Sequence, residues 1–482
     1  MSQQIWYLRV GEQRGRPRIW IDGARLLRAG VQPGQSMDVE FDDQAQVVRV
    51  SVGSGCRKVS QRKRNGSIYP VIDISNDTIT KVFGEDVTRV RVAGSDGRLE
   101  ISIHPDEAAE QSRLERGSRH LTRHSPLLVG SIFHGLGVLD HAVTQGLADA
   151  GIPTRLAWAV EAEPKYLDAS LKNNPAWQSG SGRAIQGRIE EVARDDLSQV
   201  DLLVAGIPCT GASLAGRAKN RLEAAEHHES AGSLFVPTLM AIQAAQPSCI
   251  LLENVPPYAK TLSMHVLRSV LNTWGYTLHE TILSGLEHGA LEDRDRLAVV
   301  AVSRGLSFDL DWIQPFVRRK LCLGDVLDPI GPEADCWKPY AYLRKKEARD
   351  RAAGKGFRMS VLGPEAERVG TLGRGYAKVR GTEAKLAHPD RSDLMRQFTP
   401  AEHARIKGIP ERLVAGLPAT LAHEALGQSV IFPAFRAVGR ALAKVFRPTR
   451  QSLPARPRPR ADELRRAPAA SLATGMQMPL AL

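Results

Sequence analysis

Apolar and polar positions alternate in short runs over the first hundred residues and give way to longer apolar runs further along. Between residues 1 and 105, MDVEF (Met37–Phe41) precedes VVRVSV (Val47–Val52), and TRVRV (Thr88–Val92) precedes RLEISI (Arg98–Ile103). Each pair reads as a β-hairpin, because DDQAQ in one case and AGSDG in the other supply residues that tolerate tight turns. The pairs are spaced by 51 residues, which predicts one β-module present twice. From 125 to 304 the pattern becomes apolar strand-like runs separated by helix-length stretches. That is the rhythm of an open α/β sheet, whose ligands gather at the carboxyl ends of strands. From 305 to 394 the rhythm fades, and RKKEARDRAAGKGFR and GTLGRGYAKVRGTEAK place basic residues among glycines. Past Arg447, a proline- and arginine-rich stretch predicts a disordered tail over 448–482 with nonspecific affinity for phosphates.

Composition narrows the class. A chain of 482 residues suggests two or three domains. The absence of an 18-residue apolar run and of a signal-peptide start predicts a soluble, cytoplasmic protein with no membrane partner. Five cysteines, at 56, 209, 249, 322 and 336, lack CxxC spacing, which argues against a metal site and a disulfide framework. A net charge of +12 favours a polyanionic partner, although it fits a merely basic protein equally well. The densest basic stretch is CRKVSQRKRNGS, with Arg57, Lys58, Arg62, Lys63 and Arg64 between the two β-copies. It reads either as a phosphate-contacting segment or as a solvated linker.

The candidate chemistry sits at strand ends in the α/β region. LLVGSIFHGLGVLD (Leu127–Asp140) runs into a glycine turn where Gly135 and Gly137 let backbone approach a cofactor. LAWAVEAEPKYL ends a second strand in Glu161, about 25 residues on, where an acid can bind ribose hydroxyls. No GKS or GKT accompanies them, so adenosine without a triphosphate fits better than a nucleoside triphosphate. DLLVAGIPCTGAS delivers Cys209 to the same edge, CILLENVPPY delivers Glu253 and Asn254, and EDRDRLAVVAV sets Arg294 and Arg296 on one face at strand spacing. A lone cysteine at such a place also reads as a small core residue.

In this order, FHGLG, Glu161, Pro208–Cys209, ENV (Glu253–Val255), RDR (Arg294–Arg296), RQFTPAEHARIKGIPERL (Arg396–Leu413) and GQSV (Gly427–Val430) resemble the motifs of the DNA (cytosine-5)-methyltransferases. The resemblance implies a Rossmann-like, S-adenosylmethionine-dependent α/β core over 125–304, completed by 395–447, with a small target-recognition domain inserted at 305–394. It implies Cys209 as the covalent nucleophile, Glu253 as the acid at cytosine N3, and Arg294 and Arg296 holding the extruded base or its phosphate. The cofactor would contact Phe133, Gly135, Leu136, Gly137, Glu161, Ala162, Pro208, Leu234, Gln428, Ser429 and Val430. Ser213 and Thr371 would face duplex DNA. Several positions depart from the family pattern: Ile207, Thr210, Pro237, Met240, Glu292 and Gln428, together with Arg188 where an aspartate would meet the adenine. Two rivals stay open: an RNA substrate, against which stands the absence of a CFT tripeptide, and a DNA-binding regulator that has lost the activity.

The first β-copy, RIWIDGARLLRAGVQPGQSMDVEFDDQAQVVRVSV, resembles the AbrB-like swapped-hairpin domains, with Gly30 and PGQ before the hairpin. This implies a DNA-binding module over 1–105, often an intertwined dimer and hence a candidate for self-association, joined to the core by a linker at 106–124. DNA binding would also place the protein at the nucleoid.

Overall fold

The computed structural model describes residues 2–123, 125–180, 182–208, 233–316 and 320–447. Cys209, Thr210, Ser213 and the tail from 448 lie outside the described residues.

The amino-terminal region consists of β1 (Gln4–Arg9), β2 (Gly11–Gln13), β3 (Arg16–Asp22), α1 (Ala24–Arg28), β4 (Ser36–Asp42), β5 (Val47–Val52), β6 (Arg57–Lys58), β7 (Ser60–Arg64), β8 (Ser67–Ser75), α2 (Thr78–Phe83), β9 (Arg89–Ser95) and β10 (Arg98–Ile103). The period-2 pattern sends Ile19, Ile21, Val48, Val50, Ile72, Ile74, Val90, Val92, Leu99 and Ile101 into one core. Both hairpins read from the sequence form: β4 pairs with β5 and β9 with β10. The two copies then pair with each other. β5 lies antiparallel to β10 with Arg49 opposite Glu100, and β3 lies antiparallel to β8 with Ile21 opposite Ile72. Equivalent residues of the repeat thus face one another within one chain, across a pseudo-two-fold axis. The sheets run β1-β9-β10-β5-β4-β6 and β2-β3-β8-β7. The basic stretch is two strands, not a spacer: β6 pairs with β4, and β7 forms a hairpin with β8 around Asn65 and Gly66, both left-handed.

Residues expected as a linker form α3 (Pro105–Arg123). At its start, Glu107 accepts hydrogen bonds from the Thr88 and Arg89 amides (2.9 and 3.2 Å) and from the Arg89 Nε (3.0 Å). Further along, Arg113 is 1% exposed and donates to Ser303 Oγ, Gln246 Oε1 and the Trp274 carbonyl at 2.7–3.0 Å, with its guanidinium over the Tyr276 ring. A polar helix is therefore fastened to the module near its start, by Glu107 and Gln111, and to the core further along, by Arg113 and Arg116.

The α/β core contains β11 (Leu127–Ile132), α4 (Val138–Asp149), β12 (Thr154–Glu161), α5 (Pro164–Asn173), β13 (Arg183–Gln186), β14 (Leu202–Gly206), α6 (Phe235–Ala245), β15 (Cys249–Asn254), α7 (Leu262–Thr273), β16 (Tyr276–Ser284) and β17 (Asp295–Ser303). Strand order is β13-β12-β11-β14-β15-β17-β16, parallel from β13 through β15, with β17 antiparallel to both of its neighbours. The chain winds outward from β11 to β13, then reverses to β14, which opens a crevice at the carboxyl ends of β11 and β14.

The inserted region carries α8 (Ala341–Ala352) and a small sheet of β18 (Val361–Leu362), β19 (Lys385–Ala387) and β20 (Met395–Arg396). Its apolar cluster, including Trp337, Val369, Leu372, Tyr376 and Phe398, continues into Leu291 and Ile406 of the core. Then follow α9 (Pro400–Ile406), capped by Thr399 and Glu402 through reciprocal bonds, α10 (Ala419–Gln428) and α11 (Phe432–Val445). The last helix packs against α4 so closely that a Cβ on Gly146 or Gly439 would fall 2.1 or 2.2 Å from the other helix's backbone.

Candidate active site

Five parallel strands end at one edge of the sheet, and Glu161, Glu253 and the glycine turn after β11 stand there. After β11 the chain turns through Phe133, Gly135 and Gly137, all left-handed (φ 57°, 58° and 68°). His134 pins this turn: its Nδ1 lies 2.8 Å from Asp140 Oδ2 and its Nε2 2.8 Å from Ser170 Oγ. Asn174 donates to the Leu136 and Gly137 carbonyls at 3.1 Å. A Cβ on Gly137 would collide with Asn174 and His134, whereas one on Gly135 would meet nothing within 4 Å. The loop is packed at one glycine and open at the other. Glu161, the last residue of β12 and 8% exposed, accepts the Gly135 amide on Oε2 (2.6 Å) and the Glu163 amide on Oε1 (2.8 Å). A carboxylate has about four lone-pair sites, so this one is aimed by two backbone donors and keeps capacity for a diol. Ala162 stands exposed beside it.

Glu253, near the end of β15, and Arg296, near the start of β17, form the charged centre of this edge. Arg296 Nε donates to Glu253 Oε1 at 2.8 Å, and the two side chains are only 11% and 12% exposed. Burial pushes the Glu253 carboxyl above the usual carboxylate range, while Arg296, Arg294 and Lys407 pull against it. Asn254 Nδ2 donates to the Ile207 carbonyl at 3.1 Å, and its Oδ1 accepts the Val255 amide at 2.8 Å. It thereby ties the end of β15 to the residue before Pro208, which is exposed.

The two arginines share a spacing but not a partner. Arg294 precedes β17 and is buried; its Nη2 donates to the Gly427 carbonyl at 3.0 Å and its Nη1 lies 3.6 Å from Glu292 Oε1. Thr371 is exposed and donates from Oγ1 to the Asp293 carbonyl at 2.7 Å, so it lies beside the paired arginines. Leu234 is buried at the start of α6 and Val430 is buried after α10. Ser429 Oγ donates to the Ala425 carbonyl, and Gln428 Nε2 donates to the Tyr166 hydroxyl at 2.8 Å. Arg188 is exposed and paired with Glu190 at 3.0 Å. Arg57, Lys58, Arg62, Lys63 and Arg64 are all exposed in the amino-terminal module, outside this cluster. Sequence reading missed His134 and Lys407. The histidine stands inside the quoted glycine loop, but Lys407 meets Glu292 across 115 residues and carries no local signal.

The profile of the family described as "C-5 cytosine-specific DNA methylase" matches residues 128–444. The chain belongs to this family. The methylase is similar to the type II methyltransferase M.NlaX of Neisseria lactamica, 27% identical over 316 residues, covering 64% of this chain and 93% of that protein. It is also similar to the type II methyltransferase M1.ScrFI of Lactococcus lactis subsp. cremoris, 25% identical over 284 residues, covering 56% and 69%. The crystal structure of S. pombe Dnmt2 methyltransferase superposes with a TM-score of 0.52 at 19% identity, covering 66% of this chain and 98% of that one. That likeness is one of fold. The methylase is thus a DNA cytosine-5 methyltransferase with the α/β architecture read from its sequence, and its first 127 residues lie outside the family match.

Proposed function

We propose that the methylase transfers a methyl group from S-adenosylmethionine to C5 of cytosine in a specific duplex DNA sequence, through a transient bond between the base and Cys209. The observation that carries this reading is the buried Glu253–Arg296 pair, set at the same sheet edge as the glycine loop, Glu161 and the Ile207–Pro208 segment that leads to Cys209. The open position at Gly135 and the aimed carboxylate of Glu161 fit an adenosine moiety, with Phe133, Leu234 and Gln428–Val430 as further contacts. S-adenosylmethionine supplies, when bound, an electrophilic methyl group.

Cytosine C5 is too weak a nucleophile to react unaided. Addition of the Cys209 thiolate to C6 forms an S–C6 bond and pushes the C5=C6 electron pair into the ring, while Glu253 delivers its proton to N3. A carboxyl whose pKa is raised by burial is better suited to be that donor than an ordinary carboxylate. Arg296 holds the acid in place and neutralises it once the proton has gone. After methylation, loss of the C5 proton to a base expels the thiolate and restores the ring. The target nucleotide must leave the duplex to reach this edge, at a cost of a few kcal/mol. Contacts from residues 305–394 offset that cost and select the sequence, and residues 1–105 add affinity without chemistry.

Trapping tests the reading. DNA bearing 5-fluorocytosine cannot lose fluorine as a cation, so the adduct should survive denaturing electrophoresis with wild-type protein and vanish with Cys209→Ser. Normal methylation with no trapped adduct would refute the covalent route.

A further inference from the structure

Glu292 departs from the family pattern by placing a carboxylate where glutamine is usual, and the structure shows what surrounds it. Glu292 and Lys407 are both 0% exposed, with Lys407 Nζ 2.6 Å from Glu292 Oε2. Oε1 accepts the Leu372 amide at 2.8 Å and lies 3.6 Å from Arg294 Nη1. Neighbouring backbone follows the same path. The Asp293 amide donates to the Val369 carbonyl, the Val369 amide to the Leu291 carbonyl, and both the Leu291 and Glu292 amides to the Ile406 carbonyl, at 2.8–3.2 Å. Residues 291–294 therefore form a spine, with the Val369–Leu372 loop of the inserted region on one side and the end of α9 on the other. Arg294 extends it to the Gly427 carbonyl, in the last turn of α10, which ends at Gln428 and leads into Ser429 and Val430.

We propose that Glu292 is a positioning residue, whose two carboxylate oxygens, one on Lys407 Nζ and the other on the Leu372 amide, hold the Thr371–Leu372 loop in register with the strand carrying Arg296. This rests on the reading of Glu253 and Arg296 given above. The donor count explains the carboxylate. Two donors, the Leu372 amide and Lys407 Nζ, approach different oxygens of one side chain. A glutamine satisfies one and turns its own NH2 on the other. Stability does not explain the pair, since buried ion pairs are commonly matched by apolar side chains of similar volume. What an ion pair gives, and two apolar side chains do not, is direction.

Two double variants separate these contributions in the full-length protein. In E292Q/K407Q, the side-chain amide introduced at position 292 accepts the Leu372 N–H on its oxygen and donates its NH2 to the amide oxygen introduced at position 407, so polar geometry survives without charge. In E292M/K407M, side-chain volume is kept while the Leu372 amide loses its acceptor and Arg294 Nη1 its neighbouring carboxylate. The amide pair should keep KM for duplex DNA within about threefold of wild type and preserve the methylated motif. The methionine pair should raise that KM by roughly tenfold or more, and relax the motif, with kcat of the folded protein much less affected, because a misplaced loop costs binding geometry. A methionine pair with wild-type KM and motif would overturn the proposal. So would an amide pair as impaired as the methionine pair. Should either double variant fail to fold, the K407Q and K407M single variants carry the test, the first keeping a donor opposite the carboxylate and the second none: a KM raised about tenfold in K407M alone supports the proposal, and equal KM values overturn it. A wild type that methylates no cytosine would instead defeat the proposed function, so the two failures are distinguishable.

Discussion

The two halves of the methylase use the same kinds of side chain under opposite conditions. In the amino-terminal module, cations lie on exposed strands: Arg62 pairs with Asp22 at 3.2 Å with 59% of its side chain exposed, and Lys58 reaches Ser36 Oγ at the sheet edge. In the core, Arg296, Arg294 and Lys407 are buried or nearly so, each set against a carboxylate. Solvent and salt screen the first set, whereas the second set acts through low-dielectric surroundings on named partners. The module is therefore a carrier of diffuse charge, tolerant of substitution residue by residue. The core is a set of fixed pairs, in which removing one member strands the other.

The largest expected effect follows from disarming Glu253. Replacing Glu253 by Gln removes the proton donor and should lower kcat by about 10²–10⁴-fold, with DNA and cofactor binding retained in filter-binding and calorimetric assays. Arg296→Ala should leave the acid present but unpaired. Loss of a neighbouring cation removes support for the carboxylate, so the Glu253 pKa rises further. The protonated form then persists to higher pH, and the alkaline limb of the kcat profile should move upward as the maximal rate falls. An alkaline limb that moves down, or stays, would mean that Glu253 is not the group being titrated.

Next in size is the joint between the halves. Arg113→Ala leaves the Trp274 carbonyl and the Gln246 and Ser303 side chains without the buried guanidinium. It should cost about 2–4 kcal/mol in denaturant unfolding, while methylation measured well below the unfolding midpoint changes little. Ser303 ends β17 at the far end of the strand from Arg296, so a loss of activity larger than the loss of folded protein would show that the joint reaches the site.

This joint also shows where sequence reading stopped. Hairpins, core strands, the glycine loop, Glu161 and Glu253 were legible because each is written in local periodicity or in residues at strand ends. Helix α3 was not, because its composition is polar and its anchoring to the core rests on polar side chains, Arg113 above all, which becomes buried by meeting partners more than a hundred residues away. Arg294 and Arg296 stand at the spacing read from the sequence, but their partners, the Gly427 carbonyl for one and Glu253 for the other, are set by folding. The basic stretch did carry a local signal, the Asn65–Gly66 pair that closes the β7–β8 hairpin, but without apolar alternation it resembled a linker. Glu292 and Lys407 lie in separate motifs, and only folding brings them together.

The smallest effect tests the exposed side of the comparison. Replacing Arg57, Lys58, Arg62, Lys63 and Arg64 together by Gln in the full-length protein should leave the thermal midpoint unchanged, because the surface pairs made by Lys58 and Arg62 contribute little. Binding to duplex DNA should weaken and its log-log salt dependence flatten by about 0.9 for every phosphate no longer neutralised, while kcat and the methylated motif stay as they were. The pseudo-two-fold pairing of the repeat gives this a further edge. Arg49 faces Glu100 and Ile21 faces Ile72 inside one chain, and a salt slope that does not change with protein concentration would mean that one protomer suffices for this contribution. An unchanged slope would mean that the exposed cations are merely solvated, and the module's contribution to DNA affinity would have to be sought on another face. A changed motif would mean that residues 1–105 read bases, and the contrast between diffuse charge in the module and fixed pairs in the core would fail at its exposed end.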